Sequence, residues 1–449
     1  MDALQPHDLQ KLDIDIQIPR IDKPRLVIIG GGFAGINMLK HLDKKKFQIV
    51  VLDRHNYHTF QPLLYQVATA GLEPGSIAGP LRHILEENTE VYFRMAKVTR
   101  INPEKNTVTT PIGDLKYDYL IIANGSRTNY FGKDEKFKES LPLKQIPQAL
   151  NLRSHVLQNF EKAVNTLESL ELKSLMNIVI VGGGPTGVEV AGALSELRNH
   201  VLPKDYPELN FRQMHIYLVE GTDRLLNGMS DKSGRMALKY LKDFEVNVLL
   251  NTMVSSYDGK TVELSNGEII ASQTLVWAAG VTGNVIPGLP QETIEQNRIL
   301  VDEYNKVKGQ ETIYALGDIA KMVTEDFPKG HPMLAPVAIQ QGELMAKNFN
   351  RMVKKQPLKP FNYFDKGTMA TVGRNRAVVD MPNGWSFGGF MAWLTWMFIH
   401  LLYLIGFRNK WVVLNNWIWN YFTYDRGIRL IIRPFSNDEK KRQQEMEKS

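Results

Sequence analysis

The chain of 449 residues contains no cysteine. That absence removes disulfides, thiolate metal sites, iron–sulfur clusters and every reaction that runs through a redox-active thiol. A large excess of one sign of charge is lacking too. Lys and Arg number 54 against 48 Asp and Glu, a net +6 that is too small at this length to argue for nucleic acid. Residues 1–25 lack a basic start followed by an apolar core, so no secretory signal is expected. Asp2, Asp8, Asp13 and Asp15 make that stretch too acidic for an organellar transit peptide, and residues 1–24 read as an N-terminal arm or a poorly ordered extension. Long apolar runs are also few. Residues 390–406 (FMAWLTWMFIHLLYLIG) carry no charge with His400 neutral, but 17 residues lie at the lower edge of what spans a bilayer.

What is present is a globular composition, 43% hydrophobic and 23% charged, over a length that calls for two or three domains. The strongest signal is a duplication. Residues 25–35 (RLVIIGGGFAG) and 177–187 (NIVIVGGGPTG) each run a short β-branched strand into a glycine-rich turn, and Gly30 and Gly182 lie 152 residues apart. A helix, a second strand ending in an acid, a meander of short strands and a closing strand follow each turn. The closing strands end at Gly125 and Gly280, 155 residues apart. Asn266-Gly267 marks a hairpin in the second meander, and residues 108–122 read as another around Gly113. Residues 141–175 look helical and connect the repeats. Residues 312–318 (TIYALGD) form a further apolar strand that rejoins the first repeat.

The expected fold is therefore α/β, with two Rossmann-type dinucleotide-binding domains, the second inserted in the first, and a C-terminal membrane-associated helical region. The boundaries read as 25–140 with 285–380, 141–284, and 381–449.

In each repeat the glycines permit a tight turn, close approach of a pyrophosphate and tight helix–strand packing, while the helix N-terminus faces the negative charge. Gly30, Gly32 and Gly35 form the first set, with Asp53 ending the next strand 23 residues after Gly30 and placed to take ribose hydroxyls. Gly182, Gly184 and Gly187 form the second, with Glu220 in the same role. An acid there favours the free 2′-hydroxyl of NAD over the phosphate of NADP, and Arg224 nearby weakens that preference. The glycines do not settle which turn takes which dinucleotide. Asp318, after Gly317 on the rejoining strand, could reach the ribityl chain of a flavin, which gives the first repeat to FAD; it could equally cap a following helix.

Two interleaved dinucleotide domains with a Gly-Asp strand resemble the pyridine nucleotide–disulfide reductase superfamily. Within it the chain resembles the cysteine-independent branch, the type II NADH:quinone oxidoreductases. The segments that carry the resemblance are 53–68 (DRHNYHTFQPLLYQVA), 182–192, 315–318 (ALGD), 338–342 (AIQQG), 366–373 (KGTMATVG) and the tryptophan-rich C-terminus. It implies non-covalent FAD, oxidation of NADH, reduction of a membrane quinone without proton pumping, and a homodimer on one membrane face, the cytoplasmic one. It places Asp53, Arg54, His58, Gly125, Asp318 and Lys366 around FAD, and Glu189, Glu220 and Gly280 with the second glycine set around NAD. Glu189 matches the glutamate near nicotinamide and flavin, where a carboxyl could relay protons. Gln340 and Gln341 match amides that line the quinone site, and Lys366 a lysine near the flavin. Two departures stand out. Ala335-Pro336 replaces a common Ala-Gln, so one quinone-side amide is missing, and Asn124 replaces a threonine with no expected consequence.

Six of the seven tryptophans (Trp385, Trp393, Trp396, Trp411, Trp417 and Trp419) fall in the C-terminal region. Arg426, Arg429 and Arg433 follow at helical spacing beside Ile428, Leu430, Ile431 and Ile432. That pattern suits a monotopic helix in the headgroup plane of an anionic membrane, with a dimer interface or a single span as alternatives. The tail 436–449 mixes both signs and reads as solvated. Two other functions remain open from the residues: reduction of a soluble electron carrier by an FAD enzyme, and an NADH- and FAD-binding redox sensor at a membrane.

Overall fold

A computed structural model of the chain describes residues 14–85, 91–424 and 427–431. They form two compact units. Unit 1 contains the residues up to His58, Gly79–Arg127 and Val281–Asp365; unit 2 contains Thr59–Ala78, Thr128–Gly280 and the residues from Lys366 on.

Unit 1 is built on a five-stranded parallel sheet in the order Ile313–Ala315, Tyr119–Ile122, Arg25–Ile29, Gln48–Asp53, Val91–Met95. The inner strands Tyr119–Ile122, Arg25–Ile29 and Gln48–Asp53 are near-continuous runs of β-branched and aliphatic residues because a parallel sheet is covered on both faces. The expected hairpin appears as Thr107–Thr110 paired antiparallel with Gly113–Lys116. From Ile14 onwards the N-terminal arm is docked on this unit. Ile18 is fully buried, and Asp15 meets the buried Arg25 guanidinium at 2.5 Å while Gln48 Oε1 accepts from Arg25 Nε at 2.6 Å. Removing Asp15 would leave the Arg25 charge unpaired in the interior, so the arm is tied by electrostatics as well as by apolar burial.

The strand Ile313–Ala315 extends the sheet, as its apolar run suggested. No α-helix starts at Asp318. A 3-10 turn (Gly317–Ile319) leads into a strand (Ala320–Met322), so the helix-cap alternative for Asp318 does not hold. The helix Ala335–Val353 packs on the helix Phe33–His41 with almost no separation. A Cβ at Gly342 would fall 2.3 Å from the carbonyl oxygen of Ala34, inside any real contact distance. Pro336 sits in the first turn of that helix, where its missing N–H costs nothing.

Unit 2 repeats the plan with a parallel sheet in the order Leu141–Pro142, Thr274–Trp277, Ile178–Val181, Ile216–Val219, Asn247–Leu249. The Asn266-Gly267 hairpin joins Thr261–Leu264 to Ile269–Ala271. The connector read as helical begins with a short strand, Leu141–Pro142, then forms helices Ile146–Val164 and Ser169–Met176. Residues 59–78 and 366–380, assigned from sequence to the first domain, pack within unit 2. One cause is Gly192. A Cβ there would lie 1.6 Å from the carbonyl oxygen of Val372, so the helix Pro185–His200 touches the backbone of the strand Thr368–Gly373.

That strand heads an antiparallel sheet with Arg376–Asp380 and Ser386–Gly389. Two helices follow, Phe390–Tyr403 and Phe407–Thr423, broken at Gly406 with φ +84°. At 1.5 Å per residue the first is about 21 Å long, short of the roughly 30 Å hydrocarbon core. Among the described residues no helix is long and apolar enough to cross a membrane.

The basic helix expected after Phe422 is not formed by residues 427–431. The preceding helix stops at Tyr424, which takes a left-handed conformation and packs its ring 4.2 Å from His200. Arg429 pairs with Asp205 at 2.5 Å, so it is committed to protein. Arg426, Arg433, Ile432 and the tail 436–449 lie outside the described residues.

Gly342→Ala is expected to lower stability by about 1–3 kcal/mol, the usual effect of overpacking a closed contact. Denaturant midpoints of the variant and the parent protein measure it.

Candidate functional site

In unit 1 the strand Arg25–Ile29 ends in a turn that only glycine fits. Gly30 has φ +110°, and a Cβ on it would lie 2.3 Å from the Ala123 carbonyl oxygen. Asp53 grips this turn from the end of the neighbouring strand, accepting from Gly31 N–H at 2.7 Å and from His55 N–H at 2.8 Å. Each carboxylate oxygen keeps a further acceptor site. Arg54 is exposed. His58 is buried, with Nδ1 3.0 Å from the Gly31 carbonyl and its ring edge-on to Phe33 at 5.1 Å. Burial pushes its pKa down to about 4, against the pull of the Gly31 carbonyl, so the ring is neutral and Nδ1 carries the proton it donates.

Among the described residues, the buried acceptors His58 Nε2 and Asn124 Oδ1 in this unit find no protein partner. Buried acceptors of this kind are normally satisfied. Asn124 is not inconsequential, because its Nδ2 holds the Asn284 carbonyl at 2.6 Å. Gly125, with φ +68°, follows it and accepts from Asn284 N–H at 3.1 Å. In the same unit Ser126 Oγ donates to Asp318 at 2.5 Å, and Gly317 N–H donates to the Gln341 side chain at 2.7 Å. Gln341 is buried and shapes the Gly-Asp turn. Gln340 clasps the Phe364 backbone in both directions, at 2.9 and 3.0 Å.

Unit 2 makes the same grip. Gly182 has φ +105°, and Glu220 accepts from Gly183 N–H at 2.6 Å and Thr222 N–H at 2.9 Å. Gly184 precedes the helix Pro185–His200, and a Cβ at Gly187 would lie 1.9 Å from the Gly182 carbonyl oxygen. Gly280, φ +124°, follows the closing strand Thr274–Trp277, and its carbonyl accepts from Asn129 N–H at 3.2 Å.

Glu189 projects from that helix into the wall of a cavity of about 100 Å³. Tyr65, Gln66, Arg374, Trp396 and Trp417 line it too. Desolvation pushes the Glu189 pKa up to about 8, while the Thr371 backbone and the Trp396 indole pull it down. The Trp396 N–H favours the carboxylate but completes no hydrogen bond of full geometry. Near neutral pH the side chain is a protonated acid held away from water, the state a proton donor needs.

The tryptophans divide. Trp396 and Trp417 are buried; Trp417 donates to Gln66 Oε1 at 2.8 Å, and Trp396 stacks on His400 at 4.1 Å. His400 donates from Nδ1 to the Trp396 carbonyl at 2.7 Å, and burial holds its pKa at about 4. Trp385, Trp411 and Trp419 are 60–61% exposed. Lys366 is exposed and donates to the Tyr403 hydroxyl at 2.9 Å. Arg374, which the sequence did not single out, takes the Tyr421 carbonyl at 2.8 Å and lies 3.4 Å from the centre of the Tyr424 ring, tying down the last helix. Tyr65 and Gln66 were also missed as cavity residues, although they lie in the segment that carried the resemblance.

Because the folded pKa of Glu189 is raised, the folded state keeps a proton that the unfolded chain loses above about pH 4.5. Its contribution to stability is full below that pH, falls as pH rises, and is lost above about 8. Glu189→Gln removes this titration. The variant should gain a few kcal/mol over the parent between pH 5 and 9, read from denaturation midpoints across that range.

A family model described as pyridine nucleotide-disulphide oxidoreductase matches residues 24–342, and one described as NDH2 C-terminal domain matches residues 366–424. A type II NADH:quinone oxidoreductase of Mycobacterium tuberculosis is 35% identical over 431 residues, covering 92% of this chain and 90% of its own. A mitochondrial internal alternative NAD(P)H-ubiquinone oxidoreductase of Arabidopsis thaliana is 28% identical, covering 96% and 90%. The fold matches that of NDH2 from Plasmodium falciparum, solved with NADH, at a TM-score of 0.83 and 22% identity over 92% of this chain and 100% of that one. The cysteine-free chain, its two clasped glycine turns and its C-terminal region thus converge: the protein belongs to the pyridine nucleotide-disulphide oxidoreductase family, among the type II NADH:quinone oxidoreductases.

Proposed function

We propose that the glycine turn of unit 1 holds FAD, that the turn of unit 2 holds NADH, and that Glu189 supplies a proton to the acceptor. As a member of its family the chain is an FAD-dependent enzyme that oxidises NADH and reduces a quinone. The balanced reaction converts NADH, quinone and one proton into NAD⁺ and quinol. The observation that carries the residue assignment is the repeated clasp, Asp53 on Gly31 and Glu220 on Gly183, each beside a helix N-terminus able to take a pyrophosphate.

In this reading Asp53 and Glu220 take ribose hydroxyls with their remaining lone pairs. The unpartnered acceptors His58 Nε2 and Asn124 Oδ1 fit a flavin nucleotide, whose ring N–H and ribityl hydroxyls are donors. Asp318, steadied by Ser126, would hold the ribityl chain. When bound, the flavin accepts a hydride equivalent and passes two electrons on. In unit 1, Gln340 and Gln341 would serve the quinone side by fixing the backbone turns at Phe364 and Gly317. Glu189, protonated at neutral pH, keeps a proton in a water-poor wall for the acceptor.

The chain acts at one face of a membrane, the cytoplasmic one, as a homodimer. Supporting the membrane contact are the helices Phe390–Tyr403 and Phe407–Thr423, which expose Phe390, Phe398, Trp411, Trp419 and Phe422. Such a surface suits a monotopic anchor.

Anaerobic stopped-flow absorbance on the flavin-loaded protein should show rapid bleaching with NADH and recovery on adding a short-chain quinone. Bleaching without recovery would remove the quinone. Glu189→Gln should bleach normally and recover at least about 100-fold more slowly, the scale of one acid–base catalyst. Trp411→Ser with Trp419→Ser should weaken flotation with anionic lipid vesicles; unchanged flotation would remove the anchor.

A further inference from the structure

The sequence leaves Arg224 ambiguous, since an arginine close to the ribose-binding acid can invite a 2′-phosphate. The structure shows where its guanidinium goes. Nε donates to Asn227 Oδ1 at 3.0 Å, Nη2 to the Asn227 carbonyl at 3.2 Å, and Nη1 pairs with Asp231. Asp231 is the first residue of the helix Asp231–Asp243, whose N-terminal dipole favours its ionised form. The network runs on towards the acid. Asn227 Nδ2 donates to Thr222 Oγ1 at 2.5 Å, and that hydroxyl donates to Glu220 Oε1 at 2.7 Å. Three hydrogen bonds therefore separate the guanidinium from the carboxylate.

We propose that Asp231 and Asn227 make this chain selective for NADH by sequestering Arg224, so that discrimination against the 2′-phosphate is shared between Glu220 and Asp231. The inference rests on the reading of unit 2 as the NADH site. Glu220 repels a 2′-phosphate directly. Asp231 acts through Arg224, withholding the one nearby cation of this network that could pair with the phosphate in a bidentate manner. The two effects are coupled. A guanidinium released from Asp231 turns to Glu220 while that carboxylate is present, and becomes available to a phosphate only when Glu220 is neutral.

The test measures dissociation constants of ADP-ribose and its 2′-phosphate on the flavin-loaded protein by calorimetry, with kcat/KM for NADH and NADPH alongside. Glu220→Gln should tighten the 2′-phosphate about ten-fold, the scale of one charged interaction, and Asp231→Asn alone should change it little. The double variant should exceed the product of the two single effects by at least about ten-fold. Adding Arg224→Ala should return it to the level of Glu220→Gln alone. A double variant equal to the product, or a gain that survives Arg224→Ala, overturns the role of Asp231 and Arg224 and leaves the NADH site standing. If ADP-ribose does not bind the parent protein, or Glu220→Gln alters neither probe, the reading of unit 2 fails and the inference with it.

Discussion

Both units depend on a carboxylate gripping the backbone of a glycine turn. Asp53 and Glu220 each reach from the end of the second parallel strand to the N–H of the second glycine of the first turn. The grip works only because the chain passes within contact distance of its neighbours there. A side chain on Gly30 or Gly182 would overlap the closing strand's last carbonyls. The sheet order brings the first, second and closing strands side by side, so one geometric requirement fixes strand order, helix entry and the position of the acid together. The same constraint leaves backbone N–H groups and a helix terminus aimed at one spot, the arrangement that receives a pyrophosphate.

Close backbone contact recurs where the second unit builds its cavity. Gly192 lets the helix bearing Glu189 lie on the strand Thr368–Gly373, which holds the Thr371 backbone against the carboxyl. Trp396 and Trp417 line the cavity too, and Arg374 fastens the carbonyl end of the last helix. The raised pKa of Glu189 is a consequence of that packing. The Thr371 backbone and the Trp396 indole favour the ionised form, but removal of water outweighs them.

Much of this was legible in the residues. Strand–glycine–helix repeats, hairpin turns and strand-end acids depend on local stereochemistry, which neighbouring residues announce. The aromatic C-terminus was read more coarsely. Its tryptophans have one composition and two fates, because Trp396 and Trp417 face the cavity whereas Trp411 and Trp419 face outwards. Helical spacing in 426–433 suggested a helix, yet 427–431 form none, and Arg429 goes to Asp205, a partner 224 residues away that no local pattern reveals. Asn124 looked like a neutral exchange until its bond to Asn284 appeared.

The sequence by itself determined the chemistry that is possible: no thiol, two nucleotide turns, an acid at each second strand, and a family whose segments span most of the chain. Those properties follow from residue type and short-range spacing. Tertiary structure alone decided which charges are available. It buried Glu189 until its proton is held near neutral pH, committed Arg224 to Asp231 and Gln341 to the Gly317 turn, and docked the N-terminal arm through Asp15. The reason is physical: desolvation and long-range pairing depend on what surrounds a side chain, and those surroundings come from segments far apart in the chain.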